Sequence, residues 1–266
     1  MFAKEVYISR RKQLAGLVKS GIILLPGNGE SPMNYPDNTY HFRQDSSFLY
    51  FFGLDQPDLA GVIDADSGEE ILFGNDVDLD DIIWMGPQES MASRAERVGV
   101  ARSQPFGRLG DYLREAIGKG RRIHFLPPYR GEGKIMLAAF TGIAVERQKE
   151  MASLELIRAV VSLRSIKDSL EIEEIEKACA TGYKMHVKAM KMAQPGVWEQ
   201  KITGRIEGIA ASGGGQISFP VILSQNGDTL HNHDHSQILE KGRLLIVDAG
   251  AESLLHYASD FTRTIP

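Results

Sequence analysis

Leu244-Leu245-Ile246-Val247-Asp248-Ala249-Gly250-Ala251-Glu252 is the stretch on which the reading of this chain turns. The run Leu244 to Val247 is continuously apolar, as expected of a strand buried on both faces. It closes on Asp248, and a carboxylate there is costly unless it is paired, hydrogen-bonded or bound to metal. Twelve residues later Asp260 stands in the alternating segment His256-Tyr257-Ala258-Ser259-Asp260-Phe261. If the two segments form a hairpin with its loop near Leu254, the aspartates are predicted to sit directly opposite each other, with Cβ atoms about 5 Å apart. Two carboxylates that close repel unless something compensates them. A pair of hard divalent cations does so in many two-metal hydrolases. On spacing alone, a surface hairpin with two solvated aspartates explains the same letters equally well.

Upstream lies His231-Asn232-His233-Asp234-His235. Alternating histidines on a strand would share a face and offer metal ligands or a proton shuttle. A polar turn accounts for the same residues. Glu252 and Asp234 are acidic neighbours that no spacing marks as ligands.

The first part of the chain alternates between helix-like and strand-like segments. Glu5 to Ser20, Ser90 to Val98 and Leu109 to Ile117 read as helices. Gly21 to Leu25, Phe48 to Gly53, Ala60 to Ile63, Glu70 to Phe73 and Arg122 to Leu126 read as strands bounded by turn formers. This predicts an α/β domain with a mixed sheet over residues 1–164. A second unit over 165–266 opens with Asp168 as N-cap and Glu171 at capping-box spacing. Its long helix, with an apolar face of Leu170, Ile175, Ala178, Val187 and Met190, runs to Gln194 and stops at Pro195-Gly196. A second helix covers Trp198 to Ala211, and Ile217 to Leu223, Leu244 to Val247 and His256 to Ile265 read as strands. Helices followed by strands predict an α+β unit. Gly213-Gly214-Gly215 is no phosphate loop, because neither Lys-Ser nor Lys-Thr follows it.

Composition bounds the rest. The chain has 266 residues, is 42% apolar and has a formal charge of −5, so a packed core is available and an electrostatic grip on nucleic acid or an anionic membrane is not expected. The single cysteine, Cys179, forbids an intramolecular disulfide, suits a reducing compartment and is expected to be a small core residue. The opening Met1-Phe2-Ala3-Lys4-Glu5-Val6 has no basic n-region, and no apolar run approaches the roughly 20 residues of a membrane span. The expectation is a soluble cytoplasmic protein.

Val247-Asp248-Ala249-Gly250-Ala251-Glu252 followed by Ser259-Asp260-Phe261-Thr262-Arg263-Thr264 resembles the first two metal-ligand strands of the pita-bread metallopeptidases. Asn226-Gly227-Asp228-Thr229-Leu230-His231 is similar to the family stretch that carries its active-site histidine, and Leu163 to Asp168 with Glu171-Ile172 to the start of its first long helix. In the first half, Phe42 to Gly53 and Ile83-Trp84-Met85-Gly86-Pro87 resemble the N-terminal domain of the aminopeptidase P branch. The gap between the aspartates is one residue longer than in most members.

The resemblance implies an α/β N-terminal domain of the creatinase and aminopeptidase P type, followed by an incomplete α+β pita-bread catalytic domain. It implies that Asp248 and Asp260 bind two divalent ions, with manganese the expected metal, and that His231 is catalytic. It implies hydrolysis of the bond between an N-terminal residue and a following proline, peptide substrates with proline second, and a homo-oligomer. The family's further ligands, a later histidine and two glutamates, have no counterpart up to Pro266. The chain therefore looks C-terminally truncated and is expected to be inactive alone. A prolidase limited to Xaa-Pro dipeptides and a non-catalytic pita-bread binding module are the alternatives.

Overall fold

The computed structural model describes residues 1–266 and divides them into two compact units, Met1–Ile166 and Lys167–Pro266. The first unit holds β1 (Ile22–Pro26), β2 (Ala60–Asp64), β3 (Glu70–Phe73), β4 (Arg102–Gln104) and β5 (Ile123–His124) in one sheet of order β4-β3-β2-β1-β5. The pairs β1–β2 and β2–β3 are antiparallel, whereas β3–β4 and β1–β5 are parallel. The helices are α1 (Lys4–Val18), α2 (Ser46–Phe52), α3 (Leu79–Met85), α4 (Met91–Arg97), α5 (Leu109–Gly118), α6 (Gly131–Thr141), α7 (Gln148–Met151) and α8 (Leu154–Ser165).

The alternation of β1 divides its apolar side chains between two cores. Ile23 and Leu25 pack with Leu14, Phe48, Phe52 and Leu156 on one face, while Ile22 and Leu24 pack with Leu109, Leu113 and Leu137 on the other. A strand buried on both faces follows, with helices covering each side. This is the expected α/β domain with a mixed sheet.

Phe48 to Gly53 is a helix rather than the expected strand. The Asp45 carboxylate accepts the N–H groups of Ser47 and Phe48, and Gly53, at φ 65°, closes the other end in the left-handed conformation. Phe48, Phe51 and Phe52 then share the buried face, a spacing that belongs to a helix and not to a strand. Helices α3, α6, α7 and α8 and strand β4 were not anticipated.

The second unit packs α9 (Ser169–Met192) and α10 (Glu199–Ser212) on a sheet of β6 (Ile222–Ser224), β7 (Leu245–Ala249) and β8 (Phe261–Ile265), ordered β6-β7-β8. The capping box at the start of α9 is complete: Asp168 accepts the Glu171 N–H at 2.9 Å, and the Glu171 carboxylate accepts the Asp168 N–H at 3.1 Å. The buried face of α9 is Glu171, Glu174, Ala178, Gly182, Met185 and Ala189, with His186 beside them. It is rotated from the expected stripe, so Leu170 and Met190 are exposed. Cys179 is free and only half-buried, not a core residue. The core joins Met185, Ile202, Ile206, Leu223, Leu245 and Val247.

Candidate metal centre

Strand β7 is buried on one face only. Leu245, Val247 and Ala249 point into the core, Ile246 and Asp248 are half-buried on the other side, and Leu244 is exposed. The apolar run is thus a one-sided strand, not one enclosed on both faces. Asp248 lies between Ile222 on β6 and Thr262 on β8, both in register with it.

That register revises the expected geometry. Asp248 faces Thr262, not Asp260. The same register continues past the strand ends through the bridge Glu252↔Ala258, which puts Asp260 across from Gly250. Side chains two residues apart share a face, so Asp248 and Asp260 are diagonal neighbours on one side of the pair, roughly 7–8 Å apart rather than face to face. The close approach falls instead at Gly250, where a Cβ would stand 1.8 Å from the Ser259 carbonyl oxygen and 2.5 Å from Ser218 Oγ.

Asp260 is exposed, whereas Asp248 keeps Oδ1 buried with no hydrogen-bond partner. A buried carboxylate oxygen is normally satisfied. Its orphan state beside a second carboxylate on the same face is what a cation-binding position requires. Two aspartates are oxygen donors of the kind hard divalent cations prefer. Their number is small: no cluster of three or more His, Cys, Asp or Glu that could hold a metal is formed. The donor set fits a divalent cation in kind and would supply only part of its coordination.

The histidine cluster does not form a strand. Residues 231–237 are a turn and irregular chain, so His231, His233 and His235 do not line up on a strand face. His231 is exposed. His235 Nδ1 donates to the Leu223 carbonyl at 3.0 Å and so fastens this loop to β6. Asp234 is spent locally, its Oδ1 accepting the Ser236 N–H at 3.0 Å and its Oδ2 the Ser236 hydroxyl at 2.8 Å.

Two supports were missed from sequence. His186 on α9 donates Nε2–H to the Ala249 carbonyl at 3.0 Å, and its ring meets Phe261 edge-on at 5.9 Å. Ala249 and Phe261 are register partners, and each adjoins one of the aspartates. The signal was the position of His186 next to Met185 on the helix face, since a buried imidazole needs a partner. At the hairpin tip, His256 takes φ 62° and its Nδ1 is 2.6 Å from Glu252 Oε2, while the Tyr257 hydroxyl donates to Glu171 at 3.1 Å. These contacts fix the turn at the hairpin tip.

The whole chain follows the fold of solved aminopeptidases. It matches a zinc-substituted Escherichia coli aminopeptidase P in complex with product at a TM-score of 0.83 and 24% identity, covering 100% of this chain and 63% of that one. It matches an aminopeptidase of Pseudomonas aeruginosa at 0.84 and 24%, covering 100% and 62%. The fold is therefore an N-terminal α/β domain followed by part of a pita-bread domain. Residues 7–124 match the aminopeptidase P N-terminal domain, and residues 173–266 match metallopeptidase family M24. The two matches follow one another along the chain, which is in this respect similar to the aminopeptidase P members of that family. Among its relatives are the Xaa-Pro aminopeptidase of Escherichia coli strain K12, 27% identical over 99% of this chain and 62% of the relative, and a probable Xaa-Pro aminopeptidase of Chaetomium globosum, 32% identical over 92% and 40%. The chain thus spans about three fifths or less of the length of these relatives.

Proposed function

We propose that this chain is part of a metal-dependent aminopeptidase that removes the N-terminal residue from peptides with proline in second place. The observation that carries the reading is the orphaned, buried Oδ1 of Asp248 with Asp260 on the same face of the sheet. Asp248 and Asp260 would hold divalent cations, manganese by the hardness of their oxygen donors. Such ions lower the pKa of a water and stabilise negative charge growing on a scissile carbonyl oxygen. His231, exposed in the turn that follows β6, would donate an imidazole N–H to a substrate carbonyl. His186 holds the Ala249 carbonyl, and with it the backbone beside Asp248, in place.

The lone free Cys179 supports a reducing, cytoplasmic setting, and no helix is long and apolar enough to cross a membrane. A homo-oligomer is part of the same reading. With only two carboxylates at the site, a polypeptide of residues 1–266 alone is expected not to turn over peptide.

The test is hydrolysis by the protein as its own gene encodes it, supplied with manganese. Release of the first residue from a tripeptide with proline second, lost in Asp248→Asn and Asp260→Asn, is the expected result. Turnover of Xaa-Pro dipeptides alone would make it a prolidase. Absence of bound divalent metal in the purified protein would make it a binding module.

A further inference from the structure

The first unit contains a cavity of about 240 Å³ where β1 and β5 run out side by side in parallel. In open α/β sheets, ligands settle in the crevice beyond the carboxyl ends of the strands. Its walls are apolar, built from Leu24, Leu59, Phe106, Phe125, Met136 and Leu137.

The charged groups at its edge are accounted for with one exception. Asp45 caps α2 with Oδ1 and accepts the Tyr129 hydroxyl on Oδ2 at 3.1 Å. Glu132 pairs with Arg130 at 3.1 Å, and the Arg130 guanidinium also donates to the Gly29 carbonyl and to Ser31 Oγ. Asp58 has neither an ion pair nor a hydrogen bond on its carboxylate. It is exposed at the rim, and the walls beside it desolvate its carboxyl in part and raise its pKa.

Asp58 is also held in an unusual backbone state. Its φ is 57°, and its N–H is fixed to the Asn28 carbonyl at 3.1 Å. Positive φ at a residue other than glycine is uncommon and gathers at ligand clamps. Its Oδ1 lies so close over Gly29 that a Cβ there would come within 2.9 Å. The chain thus holds an uncompensated anion at the mouth of a greasy hollow.

We propose that this cavity binds a small organic ammonium ion, an amine carried on an apolar body. The ammonium sits on the Asp58 carboxylate and the body lies against Leu59, Phe106 and Met136. An unpaired carboxylate is compensated by a cation, and the walls beyond it offer mainly apolar surface. The site lies wholly within the first unit and stands apart from the metal reading.

The experiment is calorimetric titration of the full chain with phenethylamine and, separately, with 3-phenylpropionate, which keeps the apolar body and reverses the charge. Saturable binding of the amine, at least about tenfold tighter than that of the acid, is expected. Asp58→Asn should weaken the amine about tenfold while keeping the backbone, because asparagine tolerates positive φ. Gly29→Ala, which crowds the carboxylate without removing it, should weaken it in the same direction. Equal binding of amine and acid, unchanged affinity in Asp58→Asn, or no saturable binding of the amine by about 10 mM overturns the proposal.

Discussion

Asp248 faces Thr262 across the β7–β8 pair, and Asp260 stands two residues before Thr262 on the same side. The aspartates are thus offset by one step of the pleat, with Gly250 opposite Asp260. An offset of this size leaves a gap between carboxylates that ions can occupy, whereas direct opposition would press the charges together. What keeps the offset is the packing beneath it: Val247 and Ala249 are buried, and Gly250 has no room for a side chain against the Ser259 carbonyl.

Gly250→Ala therefore tests the spacing of the site. A methyl group there would collide with the Ser259 carbonyl, which is backbone and cannot swing aside. The strands must part next to Asp260. The expected result is a loss of about 2–4 kcal/mol in denaturant unfolding of the second unit. Manganese affinity, measured by calorimetry under conditions where the variant is still folded, should fall as well. Wild-type affinity and stability in this variant would mean that the close approach has no bearing on the aspartates.

His186→Phe keeps the ring against Phe261 and removes the donor to Ala249. Ala249 stays paired with Phe261 across the ladder, so the loss is that of one hydrogen bond, about 0.5–1.5 kcal/mol. Urea unfolding should register that loss. Amide exchange should quicken along β7, beside Asp248, more than in α10. Uniform exchange across the unit would argue that His186 only fills space.

Much of this layout was legible in the letters because local rules sufficed. Asp168 and Glu171 announce a capping box, and the box forms. The two-faced burial of β1 follows from Ile22-Ile23-Leu24-Leu25, four branched residues in a row ended by Pro26-Gly27. Phe48 to Gly53 is helical despite its aromatic richness, because the Asp45 cap and the i, i+3, i+4 spacing of Phe48, Phe51 and Phe52 outweigh strand propensity. The strand pairing of Asp248 departs from its spacing for a different reason. Register depends on the tip, where His256 adopts a positive φ that no spacing rule anticipates and Glu252 and Tyr257 are tied down by side chains. His186 reaches its partner over 63 residues of sequence, beyond the range of any local pattern.

Arg11→Met probes the core of the first unit. The Arg11 side chain is fully enclosed, bonded to Glu70 at 2.8 Å and donating to the Phe51 and Val98 carbonyls at 2.9 and 2.8 Å. Burial lowers the Arg11 pKa and raises that of Glu70, each restrained by the other's charge. Removing Arg11 strands a half-buried carboxylate and two carbonyls, for a loss of about 2–4 kcal/mol. The double variant Arg11→Met with Glu70→Gln should recover part of it. If the double variant is no more stable than the single one, the ion pair is not the source of the loss.

Asp64 gives the same unit a dependence on acid. Arg121 grips its carboxylate at 2.7 and 2.5 Å, and the N–H groups of Asp66 and Ser67 add to the hold, so its pKa falls to about 2. Because the folded value lies below the unfolded one, this stabilisation is complete above the ordinary aspartate range. It drains away as pH falls from about 4 through about 2. With Asp64 nearly buried and Arg121 partly open to solvent, the contribution is about 1–2 kcal/mol. Asp64→Asn should be less stable than the parent by that amount at neutral pH, and the two should converge near the acid end of the window. A gap that stays constant across the titration would show that the charge on Asp64 contributes nothing, and that the loss comes from the geometry of the turn alone.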